Sequence, residues 1–216
     1  MKKSVFLYCA MLAMGFFVLS GCVTVGDSPN SRFYMLKHIN ADKVGQRFEI
    51  PSGTITVIGP VSIPQYLDRP QMVTEDERGM MNIAQFDRWG ESLDAGIAQL
   101  IIENLDLKSS GGTFEMFPCN FAIPLDYQVL VGIQQLRANL KKDLVLAAQW
   151  SIIQADTRKM LLAKYSEIVV PVKPHNYSGL ADALSEAVGS LTTEIAENLS
   201  VLASQQEKIA ADQIKK

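Results

Sequence analysis

Between Leu180 and Leu202 seven large apolar residues recur at steps of four, four, three, four, four and three: Leu180, Leu184, Val188, Leu191, Ile195, Leu199 and Leu202. At 3.6 residues per turn these positions form one stripe along a helix, and a stripe of that length must be covered by another apolar surface. Three segments ahead of it supply that surface. Tyr127 to Leu136, Leu144 to Ile153 and Leu161 to Val170 are rich in β-branched residues and are separated by polar turns at 137–143 and 155–159, which predicts an antiparallel meander. Pro171 and Pro174 end the meander before the helix begins. Beyond Ser204 the chain is polar, so residues 205–216 are expected to fray or to project as solvated helix.

The earlier part adds further elements to the same sheet-and-helix plan. Arg32 to Leu36 is a short strand candidate, and Thr54 to Ile63 a stronger one in which Gly59-Pro60 demands a bulge or an edge position. Met72 to Glu75 and Met80 to Phe86 flank Asp76-Glu77-Arg78-Gly79, the pattern of a hairpin with Gly79 at its turn. Ser92 is placed to cap a helix whose Leu93, Ile97, Leu100, Ile101 and Leu105 fall at helical spacing, ending before Ser109. The predicted class is α+β: a single domain with a mixed, largely antiparallel sheet and two main amphipathic helices packed on it.

The amino terminus is of another kind. Met1-Lys2-Lys3 precedes a run of roughly 16 mostly apolar residues to Leu19, a charged n-region and an h-region too short to span a bilayer, which takes about 20. The run closes on Leu19-Ser20-Gly21-Cys22, which resembles the lipobox of bacterial lipoproteins. That resemblance implies a leader of residues 1–21, a diacylglycerol on the Cys22 thiol and an acyl chain on its new amine; beyond these covalent chains no cofactor is expected. Two or three acyl chains anchor durably, whereas one anchors marginally. Residues 22–31 then read as a tether, 32–204 as a periplasmic domain and 205–216 as a polar tail.

Loss of Lys2 and Lys3 with the leader leaves 18 Lys and Arg against 23 Asp and Glu, a net charge of 18 − 23 = −5. Such a balance disfavours nucleic acid as a partner. Of three cysteines, Cys9 leaves with the leader and Cys22 is alkylated, so Cys119 has no partner for an internal disulfide and is expected to be a small buried hydrophobe. His38 and His175 both neighbour loop-like sequence, where a solvated or capping role outweighs metal ligation, and no nucleophile-base motif occurs. Lys108 to Thr113 lacks the two spaced glycines before Lys-Ser or Lys-Thr that cradle a phosphate, so it reads as a loop. An enzymatic role is not expected.

One segment stands out as a candidate contact surface. Pro64 and Pro70 bracket Gln65-Tyr66-Leu67-Asp68-Arg69, so this loop is ordered and loses little entropy on docking. Tyr66 and Leu67 are the leading partner-contact candidates, with Asp68 and Arg69 as a local ion pair; Trp89 is a further candidate, although core burial fits it as well. Tyr66 has an inward alternative, in which the ring plugs the sheet.

Val61 to Val73, together with Tyr34, Leu36, Phe86-Asp87-Arg88-Trp89, Leu93-Asp94, Asn104-Leu105, Asp126 to Val129, Gln149-Trp150 and Glu194-Ile195-Ala196, resembles the ABC-type transport auxiliary lipoprotein family. The resemblance covers nearly the whole chain after Cys22, and the loop around Tyr66 is its most specific part. It implies a non-enzymatic subunit on the outer membrane, facing the periplasm, that partners a mammalian-cell-entry (MCE) domain protein and inner-membrane components of a lipid transport system. Val23, in place of the Asp that retains lipoproteins at the inner membrane, agrees with that location. A symmetric transport tube implies a homo-oligomer around its end. The alternative is an envelope-assembly lipoprotein acting as chaperone or partner of an outer-membrane protein.

Overall fold

The computed structural model describes residues 30–38, 45–119 and 124–214. The chain divides after Asn30, and the unit that begins at Ser31 holds every element below. In chain order these are β1 (Arg32–Tyr34), β2 (Phe48–Glu49), β3 (Ile55–Ser62), β4 (Gln71–Glu75), β5 (Met81–Trp89), α1 (Leu93–Lys108), β6 (Ser109–Ser110), β7 (Thr113–Met116), β8 (Tyr127–Ala138), β9 (Asp143–Gln154), β10 (Met160–Pro171) and α2 (Tyr177–Ile214).

The main sheet has the order β10-β9-β8-β3-β7. Its β8-β9-β10 half is the antiparallel meander that the turns predict, while β3 lies parallel to both β8 and β7. Alternation on β9 sends Leu144, Leu146, Ala148, Trp150 and Ile152 to the helix-covered face, each at most 1% exposed. The α2 stripe meets them. Leu180, Leu184, Val188, Leu191, Ile195 and Leu199 are at most 2% exposed and Leu202 is half-buried. Each fully buried Leu contributes about 1.5–3 kcal/mol over an exposed one. Buried Ala181, Ala183, Ala187 and Ala196 widen the stripe and let α2 lie close to its neighbours. Helix α1 packs on β3 and β7, helix α2 on β9 and β10, and the two helices pack on each other.

Several expectations meet this fold with adjustments. The Gly59-Pro60 step is a bulge and not an edge: β3 has neighbours on both sides, and the ladder to β8 shifts between Ile58 and Val61, where a prolyl nitrogen has nothing to donate. The Asp76–Gly79 turn closes the β4-β5 hairpin, with Gly79 at φ +79° and the Asp76 carboxylate accepting from the N–H groups of Arg78 and Met80. Backbone donation from Met80, the larger cause, and from Arg78 holds that carboxyl below its ordinary value.

Ser92 occupies the N-cap position of α1, but its side chain makes no capping bond. Helix α2 starts at Tyr177, ahead of Leu180, and continues through the polar segment to Ile214, with residues 205–209 exposed. Lys108 to Thr113 is not simply a loop, because it closes α1, forms β6 against β2 and starts β7. Cys119 is half-buried, and residues 39–44 and 120–123 lie outside the described set.

The hairpin belongs to a second, three-stranded sheet of order β1-β5-β4, with β1 parallel to β5. This small sheet joins β1 to the loop that contains Tyr66.

Candidate functional site

The proline-bracketed loop folds as a single turn of 3-10 helix over Gln65–Leu67, closed by N–H donation from Leu67 to the Pro64 carbonyl at 2.9 Å and from Asp68 to the Gln65 carbonyl at 3.2 Å. Proline at each end removes competing donors and fixes φ, which is why so short a segment holds one shape. The turn drives Leu67 into the core at 4% exposure, whereas Asp68 stays exposed.

Tyr66 is half-buried and reaches across to β8. Pairing between β3 and β8 ends at Ser62 opposite Gly132, but β8 runs on to Ala138, so its last residues have no β3 partner. There the Tyr66 hydroxyl donates to the Leu136 carbonyl and accepts from the Leu136 N–H, both at 3.2 Å. One phenol thereby satisfies two backbone groups that an absent strand would otherwise pair. The same ring walls a cleft of about 190 Å³ between β4, through Val73, Thr74 and Glu75, and the end of β8 from Gln135 to Ala138.

A second arrangement lies where β1 meets β5. Asp87 on β5 is 3% exposed and takes a bidentate bond from Arg32, Nε at 2.8 Å and Nη2 at 2.7 Å, while the Tyr34 hydroxyl donates to it at 2.8 Å. Fork-to-carboxylate geometry makes this a strong pair for its partial exposure. Hydrogen bonding and the charge of Asp87 hold the Arg32 guanidinium above its ordinary value. Burial, and after it the bond to Asp87, pushes the Tyr34 hydroxyl up. After β1 the chain crosses α2, where the Lys37 N–H donates to Ser185 and its ammonium lies 3.1 Å from Asp182.

The residues singled out in the sequence divide between surface and interior. Leu67 and Trp89, 4% and 7% exposed, belong to the core and offer a partner no surface, which corrects their candidacy. Tyr66 takes its inward alternative at the hydroxyl. Asp68 and Arg69 do not pair with each other: the ion pairs among the described residues are Arg32–Asp87, Lys37–Asp182, Arg78–Asp76 and Lys142–Glu77. The structure does bring the loop to Trp89, whose N–H donates to the Pro70 carbonyl at 2.7 Å. Cys22 lies outside the described residues.

Sequence reasoning missed the Asp87 clamp. Its signal was present in Arg32-x-Tyr34, two polar-tipped residues at strand spacing that face the same way, and in a lone acid within Phe86-Asp87-Arg88-Trp89.

Among the described residues no group of three or more His, Cys, Asp or Glu is placed to hold a metal, and no helix is long and apolar enough to cross a membrane. His175 Nδ1 lies 2.9 Å from the Leu140 carbonyl, a bond between the β8-β9 turn and the segment that leads into α2.

A family model described as the ABC-type transport auxiliary lipoprotein component matches residues 34–196. No curated protein matches the chain significantly. Among solved structures, protein XCC0632 from Xanthomonas campestris is similar at TM-score 0.63 and 12% identity, over 82% of this chain and 99% of that one. The crystal structure of an uncharacterized protein is similar at TM-score 0.61 and 11% identity, over 79% and 99%. At such identities the likeness shows a shared fold.

Proposed function

Because the chain belongs to the ABC-type transport auxiliary lipoprotein family, we propose that it is a non-enzymatic, acyl-anchored subunit of an MCE-type lipid transport system. Family membership associates it with the cell envelope and with an ABC-type transporter. The finer reading is that acyl chains on Cys22 hold the domain at the outer membrane, facing the periplasm. There it docks the distal end of a tube of MCE domains, as a homo-oligomer matched to the symmetry of that tube.

The observation that carries this reading is where the family match begins. It starts at Tyr34, which together with Arg32 is fastened to buried Asp87, so the match opens on the strand that would receive a tether from Cys22. A domain held by its amino end needs such a lock, because any force on the anchor enters the fold through β1. The Tyr66 loop then contributes shape more than contact energy. It buttresses β8 and leaves Asp68 and the rim of the neighbouring cleft as its accessible part.

Photo-crosslinking tests the reading. A benzophenone side chain introduced in place of the exposed Asp68, in cells of the native host, is expected to trap an MCE-domain protein. Trapping of an outer-membrane barrel protein instead would favour the envelope-assembly alternative, and adducts with neither would count against both.

A further inference from the structure

The three-stranded sheet has two unlike faces, and the strand registers say which residues share each. Phe33 stands beside Arg88 and Arg88 beside Gln71, Ile83 stands beside Val73, and Met81 beside Glu75. Gln71, Val73 and Glu75 alternate on β4, and the ladder shifts between Gln71 and Val73, an irregularity in β5 that returns Arg88 to the face of Ile83 and Met81. On the other face Met72 and Thr74 are buried, while Asn82 beside Thr74 is exposed. On the outer face Val73 is half-buried against the core and, with Glu75 and Met81, borders the cleft beside Tyr66, whereas Phe33 is 64% exposed, Ile83 50% and Met81 49%, and Met80 beside the hairpin turn is exposed as well. Scattered apolar side chains on a surface are ordinary. Three on one face of a three-stranded sheet are a patch. Arg88 in the same face is half-buried, forms none of the ion pairs and has an Nε without a hydrogen-bond partner.

The direction of β1 connects this face to the anchor. Because β1 runs parallel to β5, the chain reaches Arg32 from the side of Gln85, Ile83 and Met81, not from the side of Trp89. Cys22 precedes Arg32 by 32 − 22 = 10 residues, at most about 33–36 Å of extended chain.

We propose that the outer face of the β1-β5-β4 sheet rests on the bilayer that holds the anchor, with Phe33, Ile83 and Met81 in the headgroup region and the Arg88 guanidinium on a lipid phosphate. This rests on the reading that Cys22 is acylated. Acyl chains alone hold the domain near the membrane without orienting it. An apolar face with a cation in it fixes the orientation, since binding at an interface scales with buried apolar area, and a guanidinium matches a phosphate in two bonds. The same surface explains why three large apolar side chains remain uncovered within a short chain length of a lipid anchor.

The test uses the full chain purified from native membranes and reconstituted into phosphatidylethanolamine and phosphatidylglycerol vesicles whose acyl chains are brominated close to the headgroup. Tryptophan fluorescence of F33W is compared with that of Y165W, a site 62% exposed on β10 in the other sheet, after subtraction of the wild-type signal from the buried Trp89 and Trp150. Both variants should float with the vesicles, and F33W should be quenched several-fold more than Y165W. Equal quenching with both variants still floating overturns the proposal and leaves the anchor intact. A blue-shifted but unquenched F33W also overturns it, in favour of a second copy of the chain on this face. Wild-type chain that fails to float removes the anchor itself, and the proposal with it.

Discussion

The hydroxyl of Tyr66 bonds both backbone groups of Leu136, donating to its carbonyl and accepting from its N–H at 3.2 Å. The side chain stands in for a strand beyond the last β3 pairing, which makes it part of the sheet's hydrogen bonding. Y66F should therefore lower stability by ~1–2 kcal/mol, because two backbone groups lose their partner while the ring stays packed. In urea denaturation the midpoint falls with m unchanged, and the thermal midpoint drops by roughly 2–8 °C. An unchanged midpoint would assign the hydroxyl to partner contact alone.

Asp87 holds β1 through Arg32 and Tyr34 in the same sense. D87A leaves Arg32 free to solvate but strands the half-buried Tyr34 hydroxyl, at a cost of ~1–3 kcal/mol. Amide hydrogen exchange should show protection lost over residues 32–36 and kept in α2. Alkali should open the clamp as well. The Tyr34 hydroxyl is raised above 10.0 in the folded chain, so its contribution is full below that value and is lost as pH rises through the folded value. Retained protection in D87A would show that backbone pairing to β5 suffices.

How much of this could be read from residues alone depends on the range of the interaction. The α2 stripe and the strands of the meander declare themselves, because their period and turn residues are local and run over ten or more positions. Short pairings do not. β6 has two residues and β7 four, beside Gly111-Gly112, and both become strands only because distant β2 and β3 lie alongside. The clamp joins residues 55 and 53 positions apart, beyond the reach of any local pattern. Tyr66 was legible as an ordered aromatic, but its inward turn follows from β8 outrunning β3, a property of topology. Leu67 and Trp89 are buried by contacts between segments distant in sequence, Trp89 as the last residue of β5 in a second sheet that the sequence did not announce.

Gly111 and Gly90 separate strain from space. Gly111 sits at φ +99°, and a Cβ there would collide with the carbonyl oxygen of Ile50, which is backbone and cannot yield. G111A is expected to cost at least ~1–3 kcal/mol from the left-handed backbone alone. At Gly90 the obstacle is the Sδ of Met35, the far end of a flexible side chain, so G90A should cost less than ~1 kcal/mol. Thermal denaturation of the two variants side by side checks the contrast, and equal losses would refute it.

Asp106, in the last turn of α1, is held above its ordinary carboxylate value by burial first and by the charges of Glu115 and Glu103 second. Ionisation there opposes folding, and an acid near a helix C-terminus adds to the penalty. The favourable protonated state is fully present below the unfolded value of 3.8 and is lost as pH rises through the folded one. D106N should therefore stabilise the chain at neutral pH, by less than ~1 kcal/mol for so exposed a group, and the gain should vanish below pH 3.8. A gain that persists in acid would point to packing and not to charge.

Anchoring to a membrane turns on Cys22. Intact mass spectrometry of the protein extracted from membranes of its native host is expected to show a chain that begins at Cys22 and carries a diacylglycerol and an acyl chain. A chain that retains residues 1–21, or an unmodified amino terminus at Cys22, would contradict it.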